Sequence, residues 1–191
     1  MKAHPGVLLA AFVALASPPA TPQPATRPTS WAAPLQVEGL PNLHRVSPTL
    51  LRGAQPTAQG LARLPALGVR TVINLREHDS DRPLLNGTGL RYARVPVSAT
   101  AVDEEDIVRF LRLVTAPDSG GVFVHCQHGA DRTGVMVAAY RVVVEGWSKD
   151  EAIREMKHGG FGFHWIYWNL AETIRELDVA RVRQRVLSAP Q

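Results

Sequence analysis

One cysteine stands in the 191 residues, at Cys126. A lone thiol cannot close an internal disulfide, so no disulfide framework holds this chain. Metal-ligand spacing is missing as well. His78, His158 and His164 bear no such relation to one another, and neither a metal nor a cofactor is expected. No basic run of the kind that marks nucleic-acid binding appears: 21 Lys and Arg face 17 Asp and Glu, a modest basic excess spread along the chain. Nucleic acid is therefore not an expected partner, while small anions are mildly favoured. No internal repeat appears. The apolar run at residues 7–16 is too short for a free-standing membrane helix, but it suits the apolar region of a signal peptide.

That run sets the expected organisation. Ala14-Leu15-Ala16 supplies a cleavage pattern before Ser17, so residues 1–16 read as a signal peptide. Residues 17–34 are rich in Pro, Ala and Thr and read as a semi-rigid linker. The remaining residues, 35–187, form the expected domain, large enough for one real core. The protein is expected to be exported, periplasmic or secreted, and monomeric. Membrane contact would come only through an uncleaved signal.

What is there is concentrated around the cysteine. Residues 125–133 read His-Cys-Gln-His-Gly-Ala-Asp-Arg-Thr, after an apolar stretch at 121–124 and before a helix-like stretch at 134–140. A thiol thus sits where a buried strand ends, and five residues separate it from Arg132, just where a helix begins. A helix N-terminus, a nearby Arg and inward N–H groups together lower a thiol pKa and favour the nucleophilic thiolate. The N–H groups of Gln127, His128, Gly129 and Ala130 would bind the oxygens of a tetrahedral dianion. Arg132 offers a planar fork to two of those oxygens. Gly129 allows close approach of the backbone. Thr133 would donate its hydroxyl to the sulfur. The chemistry indicated is in-line attack by Cys126 on phosphorus, then hydrolysis of a cysteinyl phosphate. The alternative for Cys126 alone is a buried, inert thiol.

These residues resemble the His-Cys-x-x-Gly-x-x-Arg-(Ser/Thr) signature of the protein tyrosine and dual-specificity phosphatases. With residues 51–56 and 72–76, the chain is similar to compact bacterial, fungal and plant atypical members over roughly residues 40–178. The resemblance implies Cys126 as nucleophile, Arg132 as phosphate binder and a phosphotyrosine-phosphatase-like fold. The implied partner is a phosphorylated protein or a small anionic phosphate ester.

Such enzymes usually place an Asp about thirty residues before the Cys to protonate the leaving oxygen. Residues 91–102 contain no carboxylate. Asp103 comes next, followed by Glu104, Glu105 and Asp106, ahead of an apolar stripe at Ile107, Phe110, Leu111 and Val114. These acids read as a first helical turn complementing the helix dipole, with Asp103 kept as a displaced acid. Asp131 is the preferred acid. Myotubularin-like and other phosphoinositide phosphatases resemble this chain in an Asp before the Arg, which also hints at phosphoinositides or inositol phosphates. Asp131 serves equally as a first-turn residue of the following helix. His125 is expected to bond the backbone around the loop. Arg76 either binds a second phosphate or pairs with Glu77.

Strand and helix patterns alternate. Strands are expected at 43–46 and 50–52, turning at Ser47-Pro48, and at 69–75, 92–95 and 121–125. Helices are expected at 57–67, 103–115, 131–145, 148–158 and 165–186, the last with Ile166, Leu170, Ile174 and Leu177 inward. This is an α/β pattern, a single domain with a mostly parallel central sheet flanked by helices. The Gly- and aromatic-rich segment 158–165 reads as a tight turn packed on the core, or as a wall of the cleft. Two other functions share the strand-end cysteine: a rhodanese-like sulfurtransferase and a non-catalytic phosphate-binding module.

Overall fold

The fold is that of a computed structural model, which describes residues 27–188; the signal peptide expected at 1–16 and the first part of the expected linker lie outside them. Its centre is the strand with the strongest β-branched and apolar pattern. Strand β6 (Gly121–His125) is buried at every residue after the first. It runs parallel to β3 (Leu50–Gly53) on one side and to β4 (Val69–Asn74) on the other. Strand β5 (Arg91–Arg94) extends the parallel set beyond β4. Strands β2 (His44–Ser47) and β1 (Ala33–Pro34) add two antiparallel edges, giving the order β1-β2-β3-β6-β4-β5. A parallel strand covered on both faces reads as a nearly continuous apolar run, which is what β4 and β6 are.

Alternate side chains of β6 divide the core. Val122 and Val124 pack into the larger cluster, with α2 (Glu104–Thr115), α3 (Asp131–Val143), α4 (Lys149–His158), α5 (Asn169–Glu176) and α6 (Val179–Leu187). Phe123 points to the opposite face, with Leu51, Leu61, Leu64 and Val72. There α1 (Ala58–Arg63) covers the sheet. Thr57 caps α1 by accepting from the Gly60 N–H at 3.1 Å. The expected 57–67 helix tightens to a 3₁₀ turn at Leu64–Leu67, where Pro65 intervenes, and ends at Gly68 in the left-handed region. Helix α3 is buried almost all round because α2, α4, α5 and α6 all pack on it.

Two expectations are corrected. The helix expected over 165–186 is broken into a 3₁₀ turn at Trp165–Tyr167, α5 and α6. Asp178 starts the last piece, its carboxylate accepting from the Arg181 N–H at 3.0 Å. Leu170, Ile174 and Leu177 are buried as expected, but Ile166 is 78% exposed because it lies on the turn, not the helix face. The domain boundary at residue 35 also falls inside the folded unit. Ala32 is buried and its N–H donates to Glu155 Oε1 at 2.6 Å. Glu155 in turn receives a two-point bond from Arg141, with Nε and Nη2 both at 2.8 Å. Paired in this way, two buried charges anchor the segment before β1.

Candidate active site

Strand β6 delivers Cys126 to the carboxyl edge of the sheet, where open α/β sheets bind ligands. The thiol is 2% exposed, at the bottom of a cleft of about 420 Å³. From Cys126 the chain curls through Ala130 and enters α3 at Asp131.

The curl is held from behind. Gln127 O accepts from the Gln55 N–H at 3.1 Å, and His128 O from Asn42 Nδ2 at 2.9 Å. Gly129 O accepts from Arg52 Nη2 at 2.8 Å. Ala130 O accepts from the Gly134 N–H at 2.7 Å and from Arg52 at 3.4 Å. The carbonyls of the loop therefore all face donors outside it. The N–H groups of Gln127, His128, Gly129 and Ala130 donate to no protein acceptor among the described residues. A helix start leaves its first N–H groups similarly unused. Together they form a nest for an anion. Gly129 is required twice over. Its φ is +69°, and an added Cβ would lie 2.4 Å from the Gly53 carbonyl carbon.

Arg52 is the main brace. It is buried, and its guanidinium lies 3.6 Å from the Phe161 ring centre. Burial pulls its pKa down to about 10, against the opposing pull of Glu155 and Cys126, so it keeps its charge at neutral pH. Arg132 is placed differently: it lines the cleft, half-buried, and makes no ion pair among the described residues.

His125 bonds the loop as expected, with Nδ1 3.2 Å from the Cys126 carbonyl oxygen. Its other nitrogen reaches a carboxylate that the sequence did not single out. Nε2 lies 2.9 Å from Asp81 Oδ2, both side chains fully buried. Asp81 also accepts from Gln55 Nε2 and Arg76 Nη2, each at 2.8 Å. Burial pushes the Asp81 pKa up, but the bonds and charges of His125, Gln55 and Arg76 outweigh it and hold the group below the usual carboxylate range. Arg76 is thus tied to Asp81, and to Asp79 at 3.3 Å, in place of Glu77.

The acid candidates separate. Asp103 caps α2, accepting from the Asp106 N–H at 2.8 Å, and takes no part in the cleft wall. Asp131 does line the cleft. Its Oδ1 accepts from the His164 N–H at 2.9 Å, and its Oδ2 lies 2.8 Å from His164 Nδ1. It is the first residue of α3 but does not cap it. Thr133 Oγ1 is buried without a hydrogen-bond partner, so its expected bond to sulfur is not formed in this structure. Opposite the loop stand Ser98, Ala99 and Thr100, with Ala99 O accepting from Asn169 Nδ2 at 3.0 Å. The segment 158–165 fills both roles foreseen for it: Phe161 is buried under Arg52, and His164 walls the cleft. His128, Asp131 and His164 bring three donor atoms within 4.8 Å of one another, a grouping that spacing along the chain does not reveal.

Gln55, Arg52, Asp81 and His164 are the contributors that sequence reasoning missed. Residues 51–56 carried a signal only through resemblance, and Asp81 carried none.

A strand-end thiol, a set of unengaged amides and a guanidinium without an ion pair among the described residues, all on one cleft, define a cysteine-dependent phosphatase of the α/β class. Residues 38–167 match a family model described as a DSP-PTPase phosphatase fused to NAD+ kinase, and the chain belongs to this dual-specificity phosphatase family. It is 41% identical over 160 residues to the dual specificity protein phosphatase TpbA of Pseudomonas aeruginosa, covering 83% of this chain and 72% of that protein. The crystal structure of a Cys-to-Ser variant of P. aeruginosa TpbA in complex with phosphotyrosine matches with a TM-score of 0.76 at 38% identity. That match covers 86% of this chain and 100% of the other. The human phosphatidylglycerophosphatase and protein-tyrosine phosphatase 1 is 34% identical over 122 residues, 58% of this chain and 61% of its own. The chain is a phosphatase, and the sulfurtransferase and non-catalytic alternatives are set aside.

Proposed function

We propose that this phosphatase hydrolyses phosphotyrosine-type monoesters on proteins through a cysteinyl phosphate. The observation that carries the reading is the outward engagement of the loop carbonyls, which frees the amides of residues 127–130 around Cys126. In the first step the Cys126 thiolate attacks phosphorus, the P–O bond to the leaving group breaks, and that oxygen takes the electron pair and a proton. In the second, water attacks phosphorus, gives up a proton, and the S–P bond breaks to return the thiolate and inorganic phosphate. Arg132 holds two equatorial oxygens and Asp131 belongs to the acid machinery. The phosphotyrosine bound by the TpbA variant supports the choice of substrate class.

The test is Cys126→Ser and Arg132→Lys, assayed on phosphotyrosine peptides, phosphoserine peptides, phosphoinositides and soluble inositol phosphates. Cys126→Ser should abolish turnover and still bind phosphate. Arg132→Lys should lose most activity, since Lys keeps the charge without the two-point geometry. Near-wild-type turnover by Cys126→Ser would refute the covalent route, and strong preference for an inositol phosphate would refute the substrate class.

The same proposal includes export, on the strength of the apolar run at 7–16 and the small-residue pattern at 14–16. It has the enzyme act as a monomer, without nucleic acid. N-terminal sequencing of protein recovered from envelope or medium should find a start near Ser17; an intact Met1 on cytoplasmic protein would refute it. Among the described residues no helix is long and apolar enough to cross a membrane.

A further inference from the structure

Among the described residues, two carboxylates line the cleft, those of Asp131 and Glu77, and Glu77 is exposed with no side-chain bond to orient it. The wall facing the loop carries Ser98, Ala99 and Thr100, and Asp103 is occupied as the cap of α2. Asp131 reaches the cleft, but it is 6% exposed and both of its oxygens are engaged by one residue, His164. His164 is the more open of the two, with a side chain 49% exposed on the same cleft as Cys126 and Arg132. A carboxylate only accepts, so the geometry assigns the Nδ1 hydrogen to the bond with Asp131. Nε2 is the nitrogen left to meet a substrate.

We propose that His164 is the proton carrier of both chemical steps and Asp131 its orienting partner. The proposal rests on the cysteinyl-phosphate reading and deepens it. As Sγ bonds to phosphorus and the P–O bond breaks, the leaving oxygen takes the proton from His164 Nε2 and the ring becomes neutral. A water then gives its proton to Nε2 as its oxygen bonds to phosphorus, and the S–P bond breaks with its electron pair returning to sulfur. The ring is again charged and the thiolate restored, so the cycle closes without a co-reactant. The backbone supports this placement. The His164 N–H is itself bonded to Asp131, so one carboxylate fixes both the position of the residue and the orientation of its ring. The dyad replaces an acid that spacing along the chain does not supply.

The test uses full-length protein and two esters, phosphotyrosine, whose phenolate needs a proton, and para-nitrophenyl phosphate, whose leaving group does not. A general acid contributes about 10²–10⁴-fold. His164→Ala keeps the backbone bond to Asp131. It should lose roughly 10²-fold or more on phosphotyrosine and only a few-fold on the nitrophenyl ester. Added imidazole should restore part of the lost phosphotyrosine rate, which a merely structural role would not allow. Asp131→Asn should show the same selectivity, because Asn has one acceptor oxygen for the two N–H groups of His164 and no charge beside the ring. Equal slowing of both esters by His164→Ala, without imidazole rescue, overturns the proposal. So does a selective loss confined to Asp131→Asn, or one appearing in Glu77→Gln, the other carboxylate on the cleft. Loss of wild-type activity on adding a chelator also overturns it, since His128, Asp131 and His164 would then be serving a cation. None of these outcomes touches the nucleophile, whose failure would appear separately as activity in Cys126→Ser.

Discussion

His125 Nε2 sits 2.9 Å from Asp81 Oδ2 with neither side chain exposed, and this bond joins the strand that carries the nucleophile to the segment after β4. Asp81→Asn should therefore weaken both fold and loop. Asp81 also pairs with Arg76 Nη2 at 2.8 Å, and removing one partner of a buried charge pair costs about 3–5 kcal/mol. The pH dependence has a definite sign. The folded-state pKa of Asp81 is depressed, so its contribution is complete above the ordinary carboxylate range and disappears as pH falls through the lower, folded value. Urea midpoints measured from about pH 6 down to about pH 3 should show a steeper acid loss for wild type than for Asp81→Asn. Parallel curves would sink this assignment.

Arg52→Lys tests the brace behind the loop. Lysine keeps a charge but cannot lie flat on Phe161 while reaching the Gly129 carbonyl. Losing a buried hydrogen bond to a charged group costs about 1.5–3 kcal/mol. Phosphate affinity and activity should both fall, with a matching loss of stability in denaturant. Unchanged phosphate binding would show that the loop holds its shape without Arg52.

Gly129→Ala should be far worse than Gly146→Ala. Both glycines have positive φ, +69° and +74°. At Gly146 a Cβ would meet nothing within 4 Å, whereas at Gly129 it would collide with the backbone of Gly53. The strain alone is about 1–3 kcal/mol and applies to both. The collision applies to Gly129 only and must displace the loop. Thermal unfolding and activity of the two variants, side by side, separate strain from clash.

Asp103→Ala should lower stability by about 1 kcal/mol, the usual loss for an N-cap. Its activity on phosphotyrosine and on nitrophenyl phosphate should change by the same small factor. A loss confined to phosphotyrosine would return the acid role to Asp103.

The parts of this fold that were legible are those written in contiguous residues. The run from 121 to 143 contains its own strand, loop and helix, and each lies where its pattern put it, because burial on both faces demands an unbroken apolar strand. The hairpin at residues 44–53 and the capped starts at Thr57 and Ser148 are equally local. The C-terminal region was misjudged because apolar periodicity continues across Leu177, while Asp178 begins a new helix there. The site was half legible for the same reason. Cys126 and Arg132 share one loop, but Asp81 lies 44 residues from His125 and Arg52 lies 77 from Gly129. His164 meets Asp131 across 33 residues of chain. Pairings of that kind are created by setting β6 between β3 and β4 and by packing the segment after α4 against the start of α3, and no periodicity announces them.

The outward-facing carbonyls of the loop divide the enzyme into frame and wall. Arg52, Asn42 and Gln55 hold the curve of residues 127–130 from outside, whereas the cleft is bounded by residues 98–100 and 164–167. The two groups sit on different segments, so the walls can be redrawn while the anion seat keeps its shape. Substrate range in this protein is therefore open to engineering at positions such as Ala99 and Ile166. Changes at Arg52 would remove the seat for every phosphate ester alike.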